Sequence, residues 1–146
     1  MIRALKGPLA WILSLLWLAG ITLAFFWPSS YWFEVHDVRV SDGKTGAPIT
    51  MVVGRDIKRD FEGSWSVSIR QIDKAATNLA CIAGGKTDYR TDAKLPAVLT
   101  IGWWTNGVCD MLPPGQYVLT TTWYIYPPIG PTKTIRKVSN IFKVTA

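Results

Sequence analysis

Residues 112–126, LPPGQYVLTTTWYIY, join a proline–glycine turn to a segment with a two-residue period. Successive side chains of a β-strand point to opposite faces of a sheet, so a two-residue period predicts a strand with one buried face. Proline and glycine directly before the segment are typical of a tight turn. The side chains that share the predicted buried face are Tyr117, Leu119, Thr121, Trp123 and Ile125.

The same period recurs in most of the chain beyond residue 30. Trp65, Val67 and Ile69 alternate with polar neighbours, and residues 99–103 repeat the pattern with Leu99, Ile101 and Trp103. We expect further strands around residues 38–40, over residues 50–57 and over residues 135–144, and one short helical turn within residues 73–80. Turn residues separate these runs. Six or seven strands so arranged predict an all-β, antiparallel sandwich over residues 31–146.

The turn before Tyr117 resembles the L-x-P-G-x-Y turn of immunoglobulin-like and fibronectin-type-III-like domains. This resemblance implies a structural corner at Leu112, Gly115 and Tyr117, where the tyrosine opens the sixth strand and its hydroxyl bonds to upstream backbone. It also implies that Trp65 is the core tryptophan. The usual inter-sheet disulfide of antibody domains is absent, because both cysteines precede the sixth strand. The overall plan is similar to small membrane-anchored immunoglobulin-like proteins of bacterial and prophage genomes.

An uncharged apolar run, LAWILSLLWLAGITLAFFW over residues 9–27, precedes the predicted domain. At 1.5 Å per residue it would span about 30 Å, the thickness of the hydrocarbon core of a bilayer. Arg3 and Lys6 lie before it without any acidic residue. The positive-inside rule therefore predicts a cytoplasmic basic tail at residues 1–8 and an outer domain at residues 31–146, after a linker of residues 28–30.

Two alternatives to a membrane anchor stay open for this run. A cleaved secretory signal also has a basic start and an apolar core, but residues 22–24 match a small-x-small cleavage site poorly. A helix buried in a water-soluble protein is the other alternative. We expect an uncleaved signal anchor, and hence a single-pass protein of the inner (cytoplasmic) membrane with its domain in the periplasm or outside the cell.

Cys81 and Cys109 both fall in the predicted outer domain. In an oxidising compartment, a cysteine pair in one small domain predicts a structural disulfide. Two buried free thiols remain the alternative. Two cysteines and one histidine without paired spacing do not suggest a metal site, and no Cys-x-x-Cys motif suggests redox chemistry.

No catalytic or cofactor-binding signature accompanies these features. His36 is the only histidine, and strand alternation would place it on the face of Val38 and Val40, away from Asp37. The net charge of +6 is spread along the chain, and no nucleic-acid recognition motif is present. We therefore expect a protein that is not an enzyme, has no cofactor or metal, and has no evident small-molecule substrate.

Binding is the function that the aromatic residues favour. Trp103 and Trp104 are adjacent, so only one of them could enter the core from a strand. We expect a possible partner surface at Trp104, Asn106, Tyr124 and Tyr126. The alternative is that these rings cover the open side of the sandwich or pack on the Cys81 segment.

Two functions fit these expectations. The first is a membrane-anchored interaction module for a membrane-embedded or membrane-proximal protein, as an accessory of an envelope, secretion or phage-encoded assembly. The alternative is an envelope protein that binds a glycan or an anionic lipid headgroup through its aromatic and basic surface.

Overall fold

A computed structural model describes residues 7–73 and 77–146, so the predicted tail residues Arg3 and Lys6 lie outside the described residues. An apolar helix, α1 (Pro8–Phe26), and a single 3-10 turn (Ser29–Tyr31) precede the strands. The elements that follow are β1 (Phe33–Val40), β2 (Gly43–Lys44), β3 (Thr50–Ile57), β4 (Phe61–Ile72), β5 (Thr77–Tyr89), β6 (Val98–Thr100), α2 (Ile101–Trp104), β7 (Gly115–Tyr126), β8 (Lys133–Val138) and β9 (Phe142–Thr145).

The described strands form two sheets. The smaller sheet has the order β1-β3-β6, and the larger has the order β2-β9-β7-β4-β5, with β8 also paired to β7. The pairs are antiparallel except for β2 with β9, which is parallel. The protein is therefore a β-sandwich-like fold with an N-terminal apolar helix, as the two-residue period predicts.

The core lies between the two sheets and is built from the alternating residues of the long strands. Along β7, Tyr117, Leu119 and Trp123 are fully buried, whereas their even-numbered neighbours are not. Trp123 contacts the ring of Phe33 from the smaller sheet, with centroids 5.8 Å apart. Trp65 was expected as the core tryptophan, but it is only partly buried and packs against the core, because its indole borders an open cleft beside β5. The tryptophan at the centre of the core is Trp123.

The turn before β7 has the contact that its motif implies. The hydroxyl of Tyr117 donates a hydrogen bond of 2.6 Å to the carbonyl oxygen of Pro113, and Leu112 is buried beside it. A Cβ at Gly115 would lie only 2.6 Å from Nε2 of Gln71, so the glycine leaves room for the Gln71 side-chain amide. This corner fixes where β7 begins.

Two segments differ from the predicted strand pattern near the middle of the chain. The helical turn expected within residues 73–80 is wrong for residues 77–80, which begin β5, and residues 74–76 lie outside the described part. The strand expected over residues 99–103 ends at Thr100 and continues as α2. Thr100 caps this helix, because its hydroxyl accepts a hydrogen bond of 3.1 Å from the Trp103 backbone N–H.

The predicted strand over residues 135–144 is two strands, β8 and β9. Asn140 lies in the break, and its side-chain amide forms two hydrogen bonds of 2.9 Å with the backbone of Val40. An amide side chain that pairs with backbone in this way takes the place of a strand partner. Asn140 therefore links the edge of β1 to the larger sheet.

His36 does not share the face of Val38. The register of β1 against β3 shifts between Val35 and Val38, so the alternation is reset there and His36 is exposed. Its Nε2 lies 2.7 Å from Oδ2 of Asp56 on the neighbouring strand. The histidine belongs to a surface pair rather than to the strand's buried face.

Helix α1 carries no charged residue, and none of its residues is buried. It is long and apolar enough to cross a membrane, a test that an N-terminal signal sequence also passes. Its last turn meets the sandwich: Nζ of Lys133 donates a hydrogen bond of 2.6 Å to the carbonyl oxygen of Phe25. A lysine at this position satisfies one of the carbonyl groups that a helix leaves unpaired at its C-terminus.

Replacing Tyr117 by phenylalanine removes the corner hydrogen bond but keeps the buried ring. We expect the free energy of unfolding to fall by about 1–2 kcal/mol, because the Pro113 carbonyl loses its partner. Chemical denaturation of the full chain in detergent measures this loss. Tyr124→Phe is the matched control, since no hydrogen bond of its hydroxyl occurs within the described residues. Equal losses in both variants would contradict a special role for the corner.

Candidate binding cleft

The predicted disulfide between Cys81 and Cys109 is present, with the two Cα atoms 5.8 Å apart. It connects β5 to the segment of residues 101–112, which we call the disulfide loop. Within this loop, the Thr105 hydroxyl donates to the Ile101 carbonyl at 2.8 Å and accepts from the Cys109 N–H at 3.2 Å. The disulfide loop is thus fixed at one end by α2 and at the other by a covalent bond.

Of the two adjacent tryptophans, one is buried and the other is exposed. The buried one is Trp104, the residue that we expected to be exposed. Trp104 was expected on a partner surface, yet only 5% of it is exposed, whereas 57% of Trp103 is exposed. The reason is that residues 101–104 form the helix α2, in which side chains do not alternate between two faces as they would in the expected strand. Trp104 contacts Trp123 and Trp65, with centroid distances of 6.0 and 5.5 Å.

A cleft of about 330 Å³ opens between β5 and the disulfide loop. The indole of Trp65 lies against Gly85 of β5, where a Cβ would be 3.4 Å from the ring. A glycine at this place lets the flat ring lie close to the strand. The residues around the cleft are Arg55, Trp65, Gly85, Lys86, Thr87, Tyr89, Leu95, Trp103, Trp104 and Asn106.

Arg55 is the cation on the inner side of this cleft. It follows Met51 and Val53 on the inward face of β3, and it lies with its guanidinium carbon 4.8 Å from the ring centroid of Trp104. Its Nη2 donates to the Pro96 carbonyl at 2.8 Å, whereas its Nε is buried without an acceptor. Burial lowers the pKa of Arg55 from its ordinary value, and the neighbouring Tyr89 acts in the opposite direction.

Arg55 has no carboxylate partner among the described residues, and no aspartate or glutamate borders the cleft. Taking a charged group out of water is costly unless an opposite charge or several hydrogen bonds compensate it. The cleft therefore combines aromatic walls with a cation that no carboxylate of the described residues neutralises.

The expected partner surface is not one surface. Asn106 borders the cleft, in a left-handed turn with φ of 50°. Tyr124 and Tyr126 instead belong to the even-numbered face of β7, on the outer side of the larger sheet, where the Tyr126 hydroxyl lies 2.7 Å from Oγ of Ser64. The cleft lies on the inward side of the larger sheet, where Trp65 and Gly85 border it, so Asn106 and the two tyrosines are on opposite sides of this sheet.

Arg55 and Trp103 were missed as site residues. Arg55 had a signal in the sequence, because it continues the two-residue period of Met51 and Val53 within the strand predicted over residues 50–57. A charged residue in such a position indicates either a paired ion or a binding site. The exposure of Trp103 depends on the phase of α2, which the strand pattern hid.

Within residues 7–73 and 77–146, no three histidine, cysteine, aspartate or glutamate side chains come together as possible ligands for a metal ion. The chain matches no protein family, and no curated protein matches it.

Alanine substitutions at the two neighbouring tryptophans should differ sharply in their effect on folding. Trp104→Ala should lower the free energy of unfolding by about 3–5 kcal/mol, because it empties a buried site. Trp103→Ala should change it by less than about 1 kcal/mol, because much of this side chain is already in solvent. Denaturant titration of both variants measures the difference. Similar losses would show that Trp103 is a packing residue.

Tyr89 should control part of the alkaline stability. Burial raises its pKa to about 12 from the ordinary 10.0, against the opposing effect of Arg55. The folded protein therefore holds this proton more tightly than the unfolded chain, so stability present below pH 10 is lost as the pH rises to about 12. The free energy of unfolding, measured across this pH window, should fall in the unaltered chain. It should fall less steeply in Tyr89→Phe. Identical slopes would contradict a buried phenol.

Proposed function

We propose that this protein is a membrane-anchored interaction module, which holds an immunoglobulin-like domain at the outer face of the membrane to bind another protein. The observation that carries the proposal is the apolar surface of the disulfide loop. Trp103, Val108 and Met111 are 57%, 63% and 73% exposed there, although all three are large apolar side chains. Clustered exposed apolar residues mark interaction sites, and tryptophan and methionine are enriched in interfaces.

The shape of this surface also supports a protein partner. Trp103 and Met111 border a second groove, of about 540 Å³, whose other wall is residues 46–49. The disulfide and the Thr105 hydrogen bonds restrain the loop before any partner binds. A preorganised surface loses less conformational entropy on association, so its contacts contribute more to affinity.

The end of α1 supports a location close to the membrane. Besides the Lys133 hydrogen bond, a Cβ at Gly130 would lie 3.0 Å from the Ala24 carbonyl oxygen, so the loop before β8 packs on the helix end. The rings of Trp27 and Tyr31 are in edge contact at 4.7 Å. With α1 as an uncleaved signal anchor, these contacts would keep the domain at the headgroup level. Its partner is then membrane-embedded or membrane-proximal, as in an envelope, secretion or phage-encoded assembly.

Binding of an anionic lipid headgroup is a second candidate, and it is favoured by charge beside the helix end. The guanidinium carbon of Arg59 lies 4.0 Å from the ring centroid of Tyr31. Lys133 donates its hydrogen bond to the last turn of α1. Neither cation has a carboxylate partner among the described residues. Cations at this level attract anionic headgroups. Glycan binding would instead use the tryptophans of the cleft.

Photo-crosslinking in intact cells tests the interaction module. A photoreactive amino acid in place of Val108 or Met111 should yield a defined crosslink to a membrane-embedded or membrane-proximal protein, because both side chains lie on the exposed loop. Thr134, exposed on the outer face of the larger sheet, is the control position and should yield less of that product. Crosslinks only to lipid would favour the second candidate. Equal labelling from all three positions would contradict a defined interface.

A further inference from the structure

Strand β5 is an open edge of the larger sheet. It pairs with β4 from Thr77↔Ile72 to Tyr89↔Phe61, and it ends the strand order of the sheet. Within the described residues, its other side makes no ladder with a second strand. In an antiparallel strand, about half of the N–H and C=O groups point away from a single partner. Residues 84–88 are all exposed, so these groups are open to another chain.

A β-bulge interrupts this edge at Ala80, but from Cys81 to Tyr89 the pairing with β4 is regular. Residues 77–89 contain no proline, and Lys86 is their only cation. Gly84 and Gly85 place no side chains beside the backbone at the start of the exposed residues 84–88. Long edges of this kind are templates on which extended segments add as a further strand.

The cleft lies on the inner side of this edge. The register with β4 places Ala83, Gly85, Thr87 and Tyr89 on the inward face of β5, opposite the inward residues of β4. A strand added beside β5 would lie about 4.8 Å from it and continue the same alternation. An inward side chain of the added strand beside Gly85 or Thr87 would then face the cleft that Arg55 borders.

Arg55 determines which side chain the cleft would accept. Its Nε has no acceptor, its guanidinium has no carboxylate partner among the described residues, and the cleft has no acidic border. A carboxylate is the group that best matches the planar donors of a guanidinium, because it accepts two parallel hydrogen bonds.

We propose that β5 receives an extended segment of a partner protein as an additional strand, and that an inward-facing aspartate or glutamate of this segment pairs with Arg55. This inference rests on the proposed function, because it names the chemistry of the protein partner. A second copy of this chain fits less well. If β5 paired with itself, its inward residues Ala83, Gly85, Thr87 and Tyr89 would bring no carboxylate to Arg55.

Selection from a random library of nine-residue peptides tests the proposal on the full chain in nanodiscs. The expected binders carry one aspartate or glutamate flanked by alternating β-branched residues, which favour extended structure. Changing that acidic residue to its amide should weaken the affinity of the chosen peptide about tenfold or more. Binders without any acidic preference, or no binders at all, would overturn the proposal.

Two further measurements separate strand addition from other binding. Methylating the peptide nitrogens of one alternating set should abolish binding, whereas methylating the other set should be tolerated, because only one edge of the peptide faces β5. Hydrogen exchange of the β5 amides should slow when the peptide binds. Tolerance of both methylated sets, or a peptide that binds without slowing exchange of the β5 amides, would contradict strand addition. A dimer through β5 in the absence of peptide would show that a second copy of the chain occupies this edge, and it would overturn the proposal.

Arg55→Met removes the charge and retains a chain that packs on Trp104, and it should abolish the difference between the acidic peptide and its amide. Arg59→Met, an exposed cation beside Tyr31, is the matched control and should preserve that difference. If Arg55→Met fails to fold, the affinities of the acidic peptide and its amide for the unaltered chain still test the acidic preference. A crosslinked partner from Val108 together with no acidic preference would overturn this inference alone. If acidic peptides bind but photo-crosslinking in cells yields no protein partner, the proposed function would be overturned instead.

Discussion

The long antiparallel pairing of β4 with β7 is the constraint on which the rest of the structure depends. It runs from Glu62↔Tyr126 to Ile72↔Gln116 and assigns every residue of both strands to one of two faces. Trp123 is thereby placed at the centre of the core, against Phe33 of the smaller sheet and Trp104 of α2. The inward face of β4 in turn determines which residues of β5 face the cleft. A one-residue slip in this register would turn the buried residues of β4 outward relative to those of β7, and the inward residues of β5 would turn with β4.

The disulfide loop forms one wall of the binding cleft and is held in place by the larger sheet. Cys109 is joined to Cys81 on β5, and Thr100 caps α2 at the other end of the loop. These restraints bury Trp104 while Trp103 remains in solvent. Arg55 reaches the same place from the opposite sheet. The aromatic cleft therefore lies between Arg55 of the smaller sheet and β5, the open edge of the larger sheet.

Much of the fold follows from local patterns. The expected strand at residues 50–57 has the bounds of β3, the cysteines form their disulfide, and the Tyr117 hydroxyl bonds to Pro113. The failures have identifiable causes. Residues 99–103 alternate like a strand, but the Thr100 cap starts a helix within them. His36 is exposed because a register shift interrupts β1. A short apolar segment is compatible with either period, and hydrogen bonds to neighbouring residues decide between them.

The sequence alone determined the apolar N-terminal helix, the β-rich domain and the turn at Tyr117, because each depends on periodicity or on residues adjacent in the chain. It also indicated that only one of Trp103 and Trp104 is buried. Only the tertiary structure decided which one, and it separated Tyr124 and Tyr126 from Asn106. It also brought Arg55 from the smaller sheet to the edge of β5. These outcomes depend on strand order and on which elements pack across the core, and contacts between residues distant in the chain are not encoded in any local period.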